Sequence, residues 1–218
     1  LKPSALWARC RAVQSFARPA RLLMDTQGRH IVIDPEQLPC QGAVVWLHGF
    51  GDVPEGWVEV LQGARKLHPG WKWVHLRAPL LPQTCYKGMR VEGWGDYRST
   101  RCTRINSLDY DNQGIVGESV VKEVHRVVDE LHSRDGVPPD RVVVGGFSMG
   151  ATAAAESALH YPGRLAGIVM LHGWLLPGAR KLLATASLGG LPILVSHSTK
   201  DEQVGFDCGK AAAECLAG

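Results

Sequence analysis

Five short runs, at 43–48, 73–76, 141–147, 166–171 and 191–196, are rich in Val, Ile and Leu and nearly continuous rather than alternating. A strand wetted on one face alternates polar with apolar side chains, whereas a strand covered on both faces does not. The runs therefore predict a mostly parallel sheet with helices on both faces. A weaker strand candidate lies at 29–33. Between the runs, 115–132 carries Val120, Val124, Val127, Val128 and Leu131 as a helical stripe, stopped by Asp135-Gly136 and Pro138-Pro139. The segment 149–160 is rich in alanine, which lets a helix approach a sheet closely, and ends at Pro162-Gly163. Shorter helical patterns occupy 178–186 and 204–216. Alternation of this kind specifies an α/β layered fold. With 218 residues, one domain can bury roughly 70% of the surface of its unfolded chain.

Charge narrows the class. The net charge is +3, but Lys2, Arg9, Arg11, Arg18 and Arg21 precede the first acid, Asp25, so the chain after residue 24 stands at −2. A nucleic-acid footprint is not supported. Residues 1–24 read as a basic leader, disordered or related to targeting, and 25–218 as the folded domain. The expected location is cytoplasmic, with organelle targeting by the basic start as the alternative. The longest apolar runs fall far short of the roughly 20 residues of a membrane span, so any membrane contact is expected to be transient. Six cysteines, none in a C-x-x-C pair, read as free thiols, with Cys208 and Cys215 spaced for one helix face.

The chemistry is carried by Gly146-Phe147-Ser148-Met149-Gly150, a G-x-S-x-G sequence. An apolar strand runs into it and a small-residue helix runs out. That context predicts a sharp strand-to-helix turn with the Ser148 hydroxyl exposed as a nucleophile. Side chains two residues before and after the serine would collide with neighbouring elements, and glycine removes them. The N–H of Met149, at the helix start, is free to receive an oxyanion. His48-Gly49-Phe50-Gly51-Asp52 follows the first strong strand, and its glycine-rich turn can supply a second donor, assigned to Phe50. His48, at the end of a buried strand, reads as a loop anchor rather than a catalytic group. Residues 80–113 lack clean periodicity and read as a lid or binding loop, with a surface excursion as the alternative.

HGFGD, APLLPQT, GGFSMGA, LHGWL and the Asp-bearing segment 197–201 together resemble the acyl-protein thioesterase and phospholipase/carboxylesterase family of α/β-hydrolases, from about residue 42 onward. The resemblance implies an α/β-hydrolase domain over 25–218 and a serine hydrolase acting on fatty-acyl thioesters or carboxylic esters. Acylated proteins or lipid esters would be its substrates, and it would need no cofactor and no metal. It also implies that Ser148 is the nucleophile, Asp201 the acid, Phe50 and Met149 the oxyanion donors, and Trp94 the tryptophan of the acyl-site loop. Ala151 stands where the family usually has another glycine.

The order Ser…Asp…His is expected in this fold, yet none of the nine histidines follows Asp201. The expectation is a domain incomplete at its C-terminal end, truncated before a last strand that precedes the histidine. The 218-residue chain should then be nearly inactive, since losing such a histidine lowers kcat by on the order of 10⁶. A degenerate scaffold that binds acyl groups without cleaving them is the competing reading. His172, at the end of a strand beside the elbow strand, and His197, near Asp201, are expected to serve as core or loop-anchoring residues. Lys87, Arg90, Arg98 and Arg101 in the 80–113 segment also admit an esterase or lactone hydrolase for small polar substrates.

Overall fold

A computed structural model of the chain describes residues 22–24, 29–185 and 189–217. Nine strands are present among them: β1 (Leu22–Met24), β2 (Ile31–Ile33), β3 (Gly42–Leu47), β4 (Trp71–Leu76), β5 (Leu80–Pro82), β6 (Arg90–Glu92), β7 (Val142–Phe147), β8 (Gly167–Leu171) and β9 (Ile193–Ser196). The helices are α1 (Pro54–Val60), α2 (Gln62–Leu67), α3 (Glu118–Asp135), α4 (Met149–Leu159), α5 (Pro177–Leu183) and α6 (Phe206–Ala217). Seven strands form one sheet in the order β1-β2-β4-β3-β7-β8-β9, and β5 and β6 form a separate antiparallel hairpin. From β4 to β9 the sheet is parallel, while β2 and β1 extend it antiparallel at one side. This is the mostly parallel α/β arrangement the runs specify, and it agrees with the α/β-hydrolase fold the resemblance implies. The pairing of β1 with β2 begins inside the stretch read as a leader, and residues 1–21 lie outside the described residues.

The strands read as continuous because alternate residues enter two different cores. Val45, Leu47, Val144, Ile168 and Met170 join α3, α4 and α5 in the larger core. Val44, Trp46, Trp73, Ile31 and Ile33 form the smaller one, against Trp57, Val58 and Leu61 of the α1–α2 segment. The exception is β9, where Leu194 is 56% exposed: its inner face packs on the larger core, and the α1–α2 layer does not reach the other face. The α3 stripe is buried at all five expected positions. At the α3 end Gly136 adopts φ 68, and the Gly136 and Val137 N–H groups donate to the His132 and Leu131 carbonyls, which terminates the helix. Every residue of α4 from Met149 to Ala158 is buried, because the helix lies between the sheet and α3 and its alanines leave room for both.

One expectation is corrected. Cys208 is buried, but Cys215 is exposed, so the pair does not form one packed face. The 80–113 segment holds the β5–β6 hairpin and is tied to the body by hydrogen bonds described below. No helix among the described residues is long and apolar enough to cross a membrane.

The topology sets the position of a site. From β3 the chain moves to β4 on one side, then returns to β7 on the other. The carboxyl ends of β3 and β7 therefore flank a crevice at the point where strand order reverses, where open α/β sheets bind ligands.

Candidate active site

Ser148 sits at the carboxyl end of β7 with φ 54 and ψ −123, a conformation that side chains rarely adopt. Its N–H donates to the Leu171 carbonyl at 2.8 Å, and its carbonyl accepts from Ala151 and Thr152 at 3.0 and 3.2 Å. Sterics hold the turn. A Cβ on Gly146 would lie 2.5 Å from the Gly150 carbonyl atoms, and one on Gly150 would lie 2.2 Å from the His48 oxygen. These are backbone atoms that cannot rotate away, so the elbow, the end of β3 and the first turn of α4 fit only through glycine. Ala151 is accommodated because its methyl faces Gly173, where a Cβ would approach it to 2.7 Å.

The loop after β3 is fixed from beneath. His48 is buried; its Nε2 accepts from the Ala78 N–H at 3.0 Å, so its proton resides on Nδ1, which donates to the Gly49 carbonyl at 2.8 Å. Burial lowers its pKa, in keeping with a neutral ring. The Trp94 indole N–H donates to the His48 carbonyl at 2.7 Å. Above them, the Phe50 N–H has no acceptor among the described residues. Met149 opens α4, so its N–H has no intrahelical acceptor, and the Ser148 side chain does not cap it. Two unpaired amides thus stand on the two segments that meet at the serine.

Ser148 opens into a cavity of about 250 Å³, walled by Phe50, Tyr86, Tyr97, Phe147, residues 99–103 and the turn after Asp201. Trp94, expected in the acyl site, is instead buried beneath the loop and does not line this cavity. Its indole nitrogen needs a buried acceptor, and the His48 carbonyl provides one. The walls are tied down by polar side chains that carried no signal in the sequence. Gln83 is fully buried; its amide donates to the Gly95 carbonyl at 3.0 Å and accepts from the Tyr97 N–H at 2.9 Å. Thr84 donates to Asp96 through both its N–H and its hydroxyl, at 2.7 and 2.6 Å. The buried Asp109 carboxylate accepts from the Arg98 and Ser99 N–H groups, at 2.9 and 3.0 Å.

Asp201 follows β9. Its Oδ1 accepts from the Gln203 and Val204 N–H groups, both at 2.9 Å, and its Oδ2 lies 2.5 Å from His172 Nδ1. Burial alone would raise its pKa; the His172 contact and the two amides outweigh that and hold it below the usual carboxylate value. His172 has φ 59 and donates its N–H to the Ser196 carbonyl at 2.8 Å.

The sequence profile of the Phospholipase/Carboxylesterase family matches residues 28–218. The chain belongs to this family. Acyl-protein thioesterase 1 of Cryptococcus neoformans is 31% identical over 198 residues, covering 88% of this chain and 79% of that protein. Acyl-protein thioesterase 1 of Schizosaccharomyces pombe is 31% identical over 188 residues, covering 85% and 80%. Among solved structures, Arabidopsis thaliana SOBER1 is similar with a TM-score of 0.69 and 30% identity, covering 81% of this chain and 82% of that one. Zea mays acyl-protein thioesterase 2 follows at a TM-score of 0.64 and 26% identity, covering 87% and 84%. Membership makes the protein a hydrolase of the esterase and thioesterase class on an α/β-hydrolase fold.

Against the order of residues expected for this family, one contact is new. His172, read from sequence as a core or loop-anchoring residue, is bonded to the Asp201 carboxylate. The parallel pairing of β8 with β9, Leu171 opposite Ser196, carries residue 172 to the segment that bears the acid. Among the described residues no hydrogen bond joins the Ser148 hydroxyl to a histidine. His197 does anchor a loop: its Nε2 lies 2.9 Å from the Val204 carbonyl and 3.4 Å from Asp201 Oδ2. Donor atoms of His172, His197 and Asp201 lie within 4.8 Å of one another, the spacing of a metal site. In the observed bonding, however, His172 Nδ1 and His197 Nε2 carry protons and donate, so the cluster is a carboxylate hydrogen-bonded by imidazole and not an array of lone pairs.

Proposed function

We propose that the protein is a serine hydrolase that cleaves fatty-acyl thioesters or carboxylic esters through an acyl-enzyme on Ser148. One observation carries this reading: a family hydrolase whose serine is strained into the mouth of a cavity, between two segments whose Phe50 and Met149 amides are unpaired. Ser148 Oγ attacks the acyl carbonyl while an imidazole takes its proton. The carbonyl electron pair moves to oxygen, where the two amides receive it, each contributing about 3 kcal/mol of transition-state stabilisation. As the pair returns, the bond to the thiolate or alkoxide breaks and the imidazole returns the proton to that leaving group. Water, activated by the same imidazole, then releases the fatty acid. Asp201 orients the imidazole. Relatives named acyl-protein thioesterase support acylated proteins as substrates, and the aromatic walls of the cavity suit an acyl chain.

For the base, the family order of residues implies a histidine placed after Asp201, and none of the nine histidines of this sequence stands there. The 2.5 Å contact with Asp201 favours His172 as a second reading. Hydrolysis of an acyl thioester and an acyl ester tests both, with Ser148→Ala and His172→Ala measured beside the parent chain. Ser148→Ala is expected to remove whatever turnover the parent shows. With His172 as the base, His172→Ala lowers turnover by on the order of 10⁴-fold or more; with the base elsewhere, turnover stays within a few-fold. Equal turnover by the parent and Ser148→Ala would overturn the proposal.

A further inference from the structure

The cavity beside Ser148 contains one arginine, and its charge is unspent. Arg101 lines the same wall as the serine and is exposed, and among the described residues its guanidinium has no acceptor. Two nearby arginines are committed. Arg104 donates to the carbonyls of Thr103, Gln203 and Glu202, and Arg90 donates to that of Leu80. Asp52, the acid in the cavity wall, forms no ion pair with Arg101 among the described residues; its two oxygens accept from the Val53 N–H at 2.8 Å and the Trp57 indole at 2.6 Å.

The backbone that carries Arg101 is held on both sides. Upstream, the Arg98 and Ser99 N–H groups are fixed on buried Asp109, and the Arg101 N–H donates to Ser99 Oγ at 3.0 Å. Downstream, buried Thr103 bridges Val204: its N–H donates to the Gln203 carbonyl at 2.8 Å, and its carbonyl accepts from Gly205 at 2.9 Å. The segment's backbone is thus tied to the turn that holds Asp201, which sets where the Arg101 side chain projects from relative to the cavity. A guanidinium can grip a carboxylate or phosphate with two parallel hydrogen bonds.

We propose that Arg101 makes this cavity selective for acyl substrates that carry an anionic group, a carboxylate or a phosphate, beside the scissile bond. The proposal rests on Ser148 marking the acyl site. Binding of non-hydrolysable octyl ethers with phosphate, carboxylate or neutral hydroxyl heads tests it by calorimetry, without requiring turnover. The anionic ethers are expected to bind at least tenfold more tightly than the neutral one at low salt. Arg101→Gln should bring all three within about twofold, and Arg101→Lys should keep part of the preference. Equal binding of the three heads, or a preference that survives in Arg101→Gln, would overturn the proposal. A preference for phosphate alone points to a phospholipid headgroup; equal preference for both anions points to acidic side chains near an acylated residue. Fluorophosphonate labelling of Ser148 in the parent and in Arg101→Gln separates the two ideas. Labelling absent from both, with the anion preference intact, faults the nucleophile and not the arginine.

Discussion

A serine at φ 54 persists only where its surroundings fix it, and here the fixing groups are backbone atoms. Gly150→Ala would drive a methyl into the Leu47 and His48 carbonyls, and a loss of about 3 kcal/mol of stability is expected in urea denaturation. Trp94→Phe keeps the ring but removes the N–H from the His48 carbonyl. It should cost about 1–3 kcal/mol for the orphaned buried oxygen, and it should also slow modification of Ser148 by loosening the Phe50 loop. Unchanged stability in Trp94→Phe would show that the loop holds itself. At this scale the sequence reveals groups whose role depends on neighbours along the chain. The Gly–Ser–Gly spacing and the anchoring role of His48 follow from the strand that precedes each. Gln83, Asp109 and His172 act on segments that only folding brings near, and the hydrogen-bond acceptor of the Trp94 indole lies 46 residues away in sequence.

Elements were legible where burial is two-sided. All five strong runs and the weak run at 29–33 became strands, and all four helical patterns became helices, because sheet and helix periodicity are set by the two cores. The short α1 and α2 were not seen: each spans two turns or fewer and touches the core through a few side chains. The β5–β6 hairpin was hidden for a similar reason, having three residues per strand and no core of its own. The last helix is placed by a close approach. In α6, a Cβ on Gly209 would lie 2.2 Å from the buried His197 Nδ1. Gly209→Ala is therefore expected to destabilise the protein by about 2 kcal/mol despite alanine's better helix propensity, with the shift read as a lower denaturation midpoint. A stabilised variant would mean that α6 does not seat against His197.

For the molecule as a whole, the sheet carries a proton-sensitive group outside the cavity lining. His75 is fully buried on β4 beside Trp73, and burial pushes its pKa down to about 4, with the Arg65 charge acting in the same direction. The unfolded chain therefore binds a proton that the native state does not between about 6.5 and 4. Stability should be full above about 6.5 and fall as the pH drops toward 4, by up to about 3 kcal/mol. His75→Leu should flatten that slope, since neither ring nitrogen has a hydrogen-bond partner among the described residues. An identical slope in parent and variant would assign acid sensitivity elsewhere.

The same sheet brings the ends of β3 and β7 together at its switch point, and the proposed chemistry depends on the serine placed there. Reaction with a fluorophosphonate, followed by peptide mapping, tests it most directly. A single adduct is expected on the peptide containing Ser148, absent from Ser148→Ala. Equal modification of parent and variant, or an adduct on any other residue, would contradict it.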